Sequence, residues 1–163
     1  MVNKPLHRID QALPDARTLQ RLDHQLCFAL YSSSLLMTKL YKPVLGSLGL
    51  TYPQYLVLLV LWETDEIAVG ELGTRLYLDS GTLTPLLKRM EAAGLLTRAR
   101  AAEDERRVIV ALTAAGRALR RKAEKVPLVV ACATGCQLDE ITALTTQLKT
   151  LRANVADQVA VAA

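Results

Sequence analysis

The sequence has few of the residues on which secreted, metal-binding and membrane proteins depend. It contains three cysteines (Cys27, Cys132 and Cys136) and two histidines in 163 residues. An odd number of thiols does not suggest a secreted disulfide framework, and these spacings match no zinc site. No apolar run reaches the about 18 residues of a membrane span, and residues 1–15 lack the apolar stretch of a signal peptide. We therefore expect a cytoplasmic protein with no metal, no cofactor and no membrane partner.

Motifs of enzymes are also missing from the sequence. No catalytic triad, phosphate-binding loop or pair of carboxylates is recognisable, so we do not expect an enzyme. The chain is nevertheless long enough, with 51% apolar residues, to bury the core of one domain. Helical periodicity is the pattern that the sequence has in abundance.

The central stretch 68–113 has the pattern of a helix-turn-helix followed by a β-ribbon. Apolar residues recur at helical spacing in two short segments, which are separated by Asp79-Ser80 and end at Gly94. Two strand-like runs, 95–100 and 108–112, follow and are joined by a polar tip. This order of elements can lay one helix in the major groove of DNA with an arginine beside it. We predict a mainly α protein with a small β wing, a winged helix-turn-helix.

The second helix of this unit carries hydrogen-bond donors on its exposed side. Threonine, lysine and arginine side chains there can donate to phosphates and base edges. Residues 75–125 hold 12 lysines and arginines against 6 acidic residues, although the whole chain carries only +4. We therefore predict double-stranded operator DNA as a partner. The residues that we expect to face it from this helix are Ser80, Thr82, Thr84, Pro85, Lys88 and Arg89.

The start of this recognition helix is ambiguous in the sequence. With Ser80 as the cap, Pro85 would remove one hydrogen bond and bend the helix. With Thr82 as the cap, Pro85 would fall in the permissive first turn. Both alternatives are open at this point.

Two helices are predicted before the winged unit. Residues 18–41 keep an apolar spacing of three and four, which indicates a long helix that stops at Pro43. Residues 54–62 are apolar nearly all round, as is typical of a buried central helix.

Two more helices are predicted after the wing, the first capped by Thr113, running to about Cys132 and kinked at Pro127. The last one has a heptad-like seam of Ile141, Leu144, Leu148, Leu151 and Val155. We predict one domain: a loose arm (1–16), dimerisation helices (17–50 and 114–163) and the winged unit (51–113). These long terminal helices are expected to form a homodimer interface, and packing within one chain is the alternative.

Three segments in fixed order resemble the OhrR branch of the MarR-type winged-helix regulators: 22–31, 48–56 and 78–89. The wing residues Asp104-Glu105-Arg106 and the exit Leu112-Thr113 fit the wider MarR pattern. The resemblance spans residues 19–127. It implies a dimeric DNA-binding repressor that has organic hydroperoxides as its inducers.

The resemblance also implies roles for individual residues. Cys27 matches the family's peroxidatic cysteine, and Tyr41 and Tyr52 match the tyrosines that hydrogen-bond its thiolate from the partner subunit. Cys132 lies where two-cysteine members keep a resolving thiol in the partner subunit, and Cys136, four residues later, is the alternative.

The same resemblance covers the wing. Arg106 matches the arginine that enters the minor groove, and Asp104 matches the acid that steadies it.

The implied mechanism begins when the Cys27 thiolate attacks a peroxide. The resulting sulfenic acid condenses with the second thiol to an intersubunit disulfide, which releases the operator. Two other functions compete with this one. A MarR-type repressor relieved by a small lipophilic or phenolic ligand would keep its induction after the thiols are alkylated. A thiol peroxidase, although nothing resembles a peroxidase fold, would consume peroxide in the presence of a thiol reductant.

Overall fold

The computed structural model describes residues 15–101, 103–104 and 106–162. Of the predicted loose arm, residues 1–14 lie outside the described part. By contacts, the described residues up to Lys39 form one compact unit and those from Leu40 a second. The elements in chain order are α1 (Ala16–Leu19), a 3₁₀ turn (Leu22–His24), α2 (Leu26–Gly46), α3 (Tyr52–Glu63), β1 (Ile67–Ala68), α4 (Val69–Leu76), α5 (Ser80–Ala92), β2 (Leu96–Arg100), β3 (Val108–Leu112), α6 (Ala114–Ala123), α7 (Val126–Ala133) and α8 (Leu138–Ala162).

The predicted long N-terminal helix begins later than the sequence pattern indicates. The chain is extended at Arg21 and Gln25, on either side of the 3₁₀ turn, so α2 starts only at Leu26. The side chain of Gln25 donates to the Leu19 carbonyl, a local hydrogen bond that competes with a continuous helix.

The predicted stop of this helix at Pro43 is wrong, because α2 runs through it to Gly46. A proline lacks only its own N–H, so the helix loses the hydrogen bond to the Lys39 carbonyl and continues. A Schellman motif ends the helix instead, with Gly49 at φ +69°. In that motif the Leu50 N–H donates to the Leu45 carbonyl at 3.0 Å.

Helix α3 forms the centre of the second unit. The side chain of Gln54 accepts from the Thr51 N–H at 2.8 Å, and Pro53 occupies the permissive first turn. The prediction of a buried central helix is confirmed, since five of its side chains are at most 7% exposed. These side chains are Tyr55, Val57, Leu58, Val60 and Leu61.

The wing is a three-stranded antiparallel sheet in the order β1-β3-β2. In its register Leu96 pairs with Leu112 and Arg100 pairs with Val108, so the two predicted strands are confirmed to within one residue. The strand β1 was not predicted, because a strand of two residues leaves no alternating pattern in the sequence. It attaches the helix-turn-helix to the ribbon, since Ile67 pairs with Val110.

The start of α6 is held tightly against the base of the wing. Thr113 is its cap, as predicted, and its side-chain oxygen accepts from the Gly116 N–H at 3.1 Å. The indole N–H of Trp62 donates to the Gly116 carbonyl at 3.0 Å. A Cβ at Gly116 would lie 2.1 Å from the Leu95 carbonyl oxygen, so only glycine fits this contact.

Asp65 joins the same region to α3. One of its carboxylate oxygens accepts from the Leu112 N–H at 2.8 Å, and the other pairs with Arg117 at 2.6 Å. One carboxylate therefore ties the loop after α3 to the end of β3 and to α6.

The single kinked helix predicted after Thr113 is two helices in the structure, α6 and α7. Pro127 lies in the first turn of α7, where its missing N–H breaks no hydrogen bond. Gly135, at φ +70°, then separates α7 from α8. Among the described residues no single helix is long and apolar enough to cross a membrane, although the segments 114–133 and 138–161, bent by 95°, pass that test together.

Candidate nucleic-acid interface and thiol site

The recognition helix α5 is capped by Asp79, which corrects both sequence alternatives. Its carboxylate accepts from the Thr82 N–H at 2.9 Å and from the Thr82 hydroxyl at 3.0 Å. These two hydrogen bonds, the backbone one first, lower the pKa of Asp79. Aspartate and serine are about equally favoured as caps, and the charge of an aspartate also complements the positive helix terminus.

Because α5 starts at Ser80, Pro85 lies inside the helix rather than in its first turn. The ring leaves the Gly81 carbonyl without its intrahelical donor, and that carbonyl lies within the first turn of α5. The missing hydrogen bond thus falls at the end of the helix that contains Ser80 and Thr82.

The polar face of α5 is open to solvent where the sequence predicts it. Ser80, Thr82, Pro85, Lys88 and Arg89 are exposed, and Thr84 is half-buried. The opposite face packs inward through Leu83, Leu86, Leu87 and Met90, all at most 4% exposed. Since the Thr82 hydroxyl already donates to Asp79, it can offer DNA only its acceptor lone pairs.

A carboxylate at the end of α5 fixes the helix to the wing. Glu91 accepts from the backbone N–H of Arg98 at 3.0 Å and from its guanidinium at 2.6 and 3.1 Å. The Arg98 side chain first, and its backbone second, lower the pKa of Glu91. The recognition helix and β2 are therefore coupled in orientation, through a contact that the sequence does not reveal because it depends on the turn at Gly94.

The wing tip presents the predicted arginine. The Arg106 side chain is 92% exposed, and its Nε donates to Asp104 at 3.2 Å. The backbone N–H of Arg106 donates to the same carboxylate oxygen at 3.0 Å. The pair predicted from the sequence, an arginine steadied by the acid two residues before it, is present with an exposed guanidinium.

A groove of about 960 Å³ runs between the helix-turn-helix and the wing. Its lining combines apolar side chains with three arginines, Arg98, Arg106 and Arg107. A groove bordered by cations next to a recognition helix attracts the phosphate backbone.

The thiol proposed as the sensor lies near the start of a long helix. Cys27 is the second residue of the 21-residue helix α2, and it is exposed. Cys132 and Cys136 are exposed as well, in the last turn of α7 and just after Gly135.

Tyr41 and Tyr52 form one aromatic cluster. Their ring centroids lie 4.5 Å apart, and Tyr55 adds a third ring 6.1 Å from that of Tyr41. Burial raises the pKa of all three phenols, and for Tyr41 the neighbouring Tyr52 and Tyr55 raise it further. These hydroxyls therefore stay protonated at neutral pH and remain hydrogen-bond donors.

The described residues contain no group of three or more His, Cys, Asp or Glu side chains that could hold a metal ion.

This combination of an exposed recognition helix, a ribbon with an arginine at its tip and a basic groove defines the class of winged-helix DNA-binding transcriptional regulators. A family model described as transcriptional regulator SarA/Rot matches residues 39–123. The chain belongs to this SarA/Rot/MarR-type family of winged-helix regulators. It is a DNA-binding transcriptional regulator and not an enzyme.

Individual relatives agree with this assignment. The chain is 58% identical, over 107 residues, to the organic hydroperoxide resistance transcriptional regulator of Bacillus subtilis (strain 168), covering 66% of this chain and 73% of that protein. Its fold is similar to that of reduced AbfR bound to DNA, with a TM-score of 0.71, 34% identity, and 85% and 96% of the two chains covered. It is also similar to a disulfide-formed AbfR, with a TM-score of 0.56, 37% identity, and 83% and 95% covered.

Replacing Arg106 with alanine should weaken operator binding without unfolding the protein. An arginine that reaches DNA contributes about 1–3 kcal/mol, so we expect the dissociation constant to rise about 5- to 150-fold per wing. The measurement is fluorescence anisotropy at fixed salt with an operator duplex, selected by the wild-type protein from a randomised pool. Arg121→Ala, which removes the same charge from the exposed face of α6, is the control. Equal losses in the two variants would show that the wing arginine has no special role.

Proposed function

We propose that this regulator is a homodimeric repressor that releases its operator when an organic hydroperoxide oxidises Cys27. The observation that carries the proposal is the exposed thiol of Cys27 in the first turn of α2, where a peroxide can reach it. The Bacillus subtilis relative is named for organic hydroperoxide resistance, which supports the inducer. The existence of a DNA-bound reduced AbfR and of a disulfide form supports the redox step.

The exposed apolar faces of the terminal helices support the homodimer. In α2, Leu26, Leu35 and Leu36 are 47–64% exposed. The predicted seam of α8 is open too: Leu144, Leu148 and Val155 are 38–55% exposed. Such apolar surface is expected to be covered, and a second copy of the same chain would cover both faces by two-fold symmetry. A two-fold dimer also presents two recognition helices to two operator half-sites.

The proposed chemistry balances without a cofactor. The Cys27 thiolate attacks the outer oxygen of the hydroperoxide, the O–O bond breaks, and the alcohol leaves with a proton from solvent. The sulfenic acid is then attacked by the thiolate of a second cysteine, which forms the disulfide and releases hydroxide, protonated to water.

We propose Tyr41 and Tyr52 of the partner subunit as the donors that hold the Cys27 thiolate. Their rings belong to one cluster, and their raised pKa values keep the hydroxyls protonated. A phenol offers one donor while its ring keeps the surroundings apolar, which favours an alkyl or lipid hydroperoxide over hydrogen peroxide.

We propose Cys132 as the resolving thiol rather than Cys136. The Cys136 sulfur already lies 3.7 Å from the Thr134 carbonyl oxygen, and the Cys136 backbone N–H donates to the Thr134 hydroxyl. Both contacts hold Cys136 against its own turn. Cys132 lies in the last turn of α7 with its thiol exposed. A disulfide also requires the two Cα atoms to come within about 7 Å, so its formation would move the subunits.

The test treats the reduced protein with tert-butyl hydroperoxide and follows operator release and a non-reducing gel in parallel. We expect release together with a band at twice the chain mass of 17.9 kDa. Cys132→Ser should lose that band, whereas the matched variant Cys136→Ser should keep it. Release that persists after all thiols have been alkylated would instead favour a repressor relieved by a small ligand.

Tyr52→Phe and Tyr41→Phe should slow the oxidation of Cys27 and leave operator binding unchanged. A hydrogen bond to a charged group contributes about 1.5–3 kcal/mol, so loss of one donor should slow sulfenic acid formation about tenfold or more near neutral pH. Stopped-flow trapping of the sulfenic acid in protein lacking Cys132 and Cys136 measures this rate. Tyr77→Phe, which deletes a hydroxyl outside the cluster, is the control. Unchanged rates in both cluster variants would mean that the tyrosines only line the site.

A further inference from the structure

Arg152 of α8 reaches the turn of the helix-turn-helix. Its guanidinium carbon lies 4.3 Å from the centroid of the Tyr77 ring, inside the about 6 Å of a cation–π contact. Within the part of α8 whose exposure is described, every residue except the half-buried Ile141 and Leu151 is exposed. The contact therefore joins a largely solvent-exposed helix to the DNA-reading unit.

Tyr77 has a backbone conformation that a tyrosine adopts only under constraint. It closes α4 in the left-handed region, at φ 55° and ψ 38°, where glycine is the usual residue. Tyr77 is nevertheless 65% exposed, so burial of its ring does not explain why a tyrosine occupies the position. A strained residue with an exposed ring points to a role for the ring itself.

The position of Tyr77 connects this contact to operator recognition. Tyr77 lies two residues before Asp79, whose carboxylate caps α5, and it lines the groove between the helix-turn-helix and the wing. The Leu78 N–H donates to the Gly73 carbonyl at 3.0 Å, so the turn is rigidly attached to α4. The Tyr77 ring is therefore connected, through a short turn that is hydrogen-bonded to α4, to the end of the recognition helix that contains Ser80 and Thr82.

We propose that Arg152 and Tyr77 are positioning residues for operator binding. The guanidinium over the ring holds the turn, and with it the start of α5, in the orientation that reads DNA. Because Arg152 belongs to the helix that follows Cys132, Gly135 and Cys136, the same contact makes operator affinity depend on the placement of α8. The proposal concerns DNA binding by the reduced protein and does not require the redox chemistry of Cys27.

The test compares operator affinity among variants chosen to leave the fold intact. Arg152→Gln removes the cation from an exposed helical position. Tyr77→Asn removes the ring, and asparagine tolerates the left-handed backbone conformation. Tyr77→Phe keeps the ring face, and Lys149→Gln removes an equal charge from the same exposed helix, so both serve as controls. Thermal unfolding of each variant checks that stability is unchanged.

An exposed cation–π contact predicts a loss of about two- to fivefold in affinity per subunit for Arg152→Gln and for Tyr77→Asn, and the square of that factor for a dimer on a full operator. The double variant should lose no more than either single variant, and both controls should bind like the wild type. Additive losses, or Arg152→Gln binding no more weakly than Lys149→Gln, would overturn the proposal. The proposal would also be overturned if Arg152→Gln reduced the slope of log K against log salt concentration by about one. Arg152 would then contact a phosphate directly.

Discussion

Replacing Cys27 with serine should leave operator binding intact and abolish its response to organic hydroperoxide completely. The thiolate is the nucleophile that breaks the O–O bond, and a serine hydroxyl is not ionised near neutral pH. Cys27 is exposed near the start of α2, so the smaller oxygen atom disturbs no core packing. The measurement is operator anisotropy before and after addition of tert-butyl hydroperoxide.

Cys136→Ser is the matched control, because it removes one of the other exposed thiols and should retain release. Together the two variants separate loss of one particular thiol from loss of any thiol. If the Cys27→Ser protein still released DNA on oxidation, the sensor would be another group and the proposed role of Cys27 would be wrong.

Gly116→Ala should destabilise the protein strongly, although it adds only one methyl group. The new Cβ would lie 2.1 Å from the Leu95 carbonyl oxygen and 3.0 Å from the Leu112 side chain. Because the Leu95 carbonyl is backbone and cannot rotate away, α6 must shift and weaken the Trp62 and Thr113 hydrogen bonds at its start. Overpacking typically costs about 1–3 kcal/mol in the free energy of unfolding, and contact with fixed backbone places this substitution near 3 kcal/mol.

Thermal or urea unfolding measures this effect, with an expected fall in the midpoint temperature of about 6–12 °C. Gly70→Ala in α4 is the control, because a Cβ there meets nothing within 4 Å. That variant should be neutral or slightly more stable, as alanine is the better helix former. An unfolding midpoint for Gly116→Ala equal to that of Gly70→Ala would show that the start of α6 can shift without loss of stability.

Local signals explain what could be predicted of the fold. Two short strand-like runs on either side of a polar tip identify β2 and β3, and Thr113 caps α6 by accepting a hydrogen bond from the Gly116 N–H, three residues later. The exposed face of α5 follows from helical geometry alone, because its apolar stripe must pack inward. In each case the residues that determine the structure lie within a few positions of one another.

The errors arise where neighbouring signals compete or where distant residues decide. Pro43 predicts a helix end, but the Schellman motif at Gly49 supplies a better one six residues later. Asp79, Ser80 and Thr82 can each cap a helix, and the pair of hydrogen bonds between Asp79 and Thr82 decides among them. The Glu91–Arg98 contact could not be predicted, because it exists only after β2 has paired in the sheet.

The same contrast between local signals and contacts of distant residues applies to the thiol site. Residue spacing does not predict that Tyr41 lies beside Tyr52. Only the resemblance to a known family predicts a shared role for the two residues, whose rings are in contact in the structure. Their cluster also includes Tyr55, which nothing in the sequence distinguishes from the other buried residues of α3. The structure thus supports the pairing of the two phenols. Their hydrogen bonds to the Cys27 thiolate stay a prediction.

The hydrogen bond between Trp62 and Gly116 has a consequence for spectroscopy. Trp62 is the only tryptophan in the chain, and its ring lies edge-on to Tyr55, with the ring centroids 6.2 Å apart. Intrinsic emission from this protein therefore comes from one indole, whose N–H is held by the first turn of α6 and whose ring adjoins the phenol cluster. A change in emission wavelength or yield on adding DNA or peroxide would report a rearrangement at that junction, while motions confined to the wing tip would go unseen.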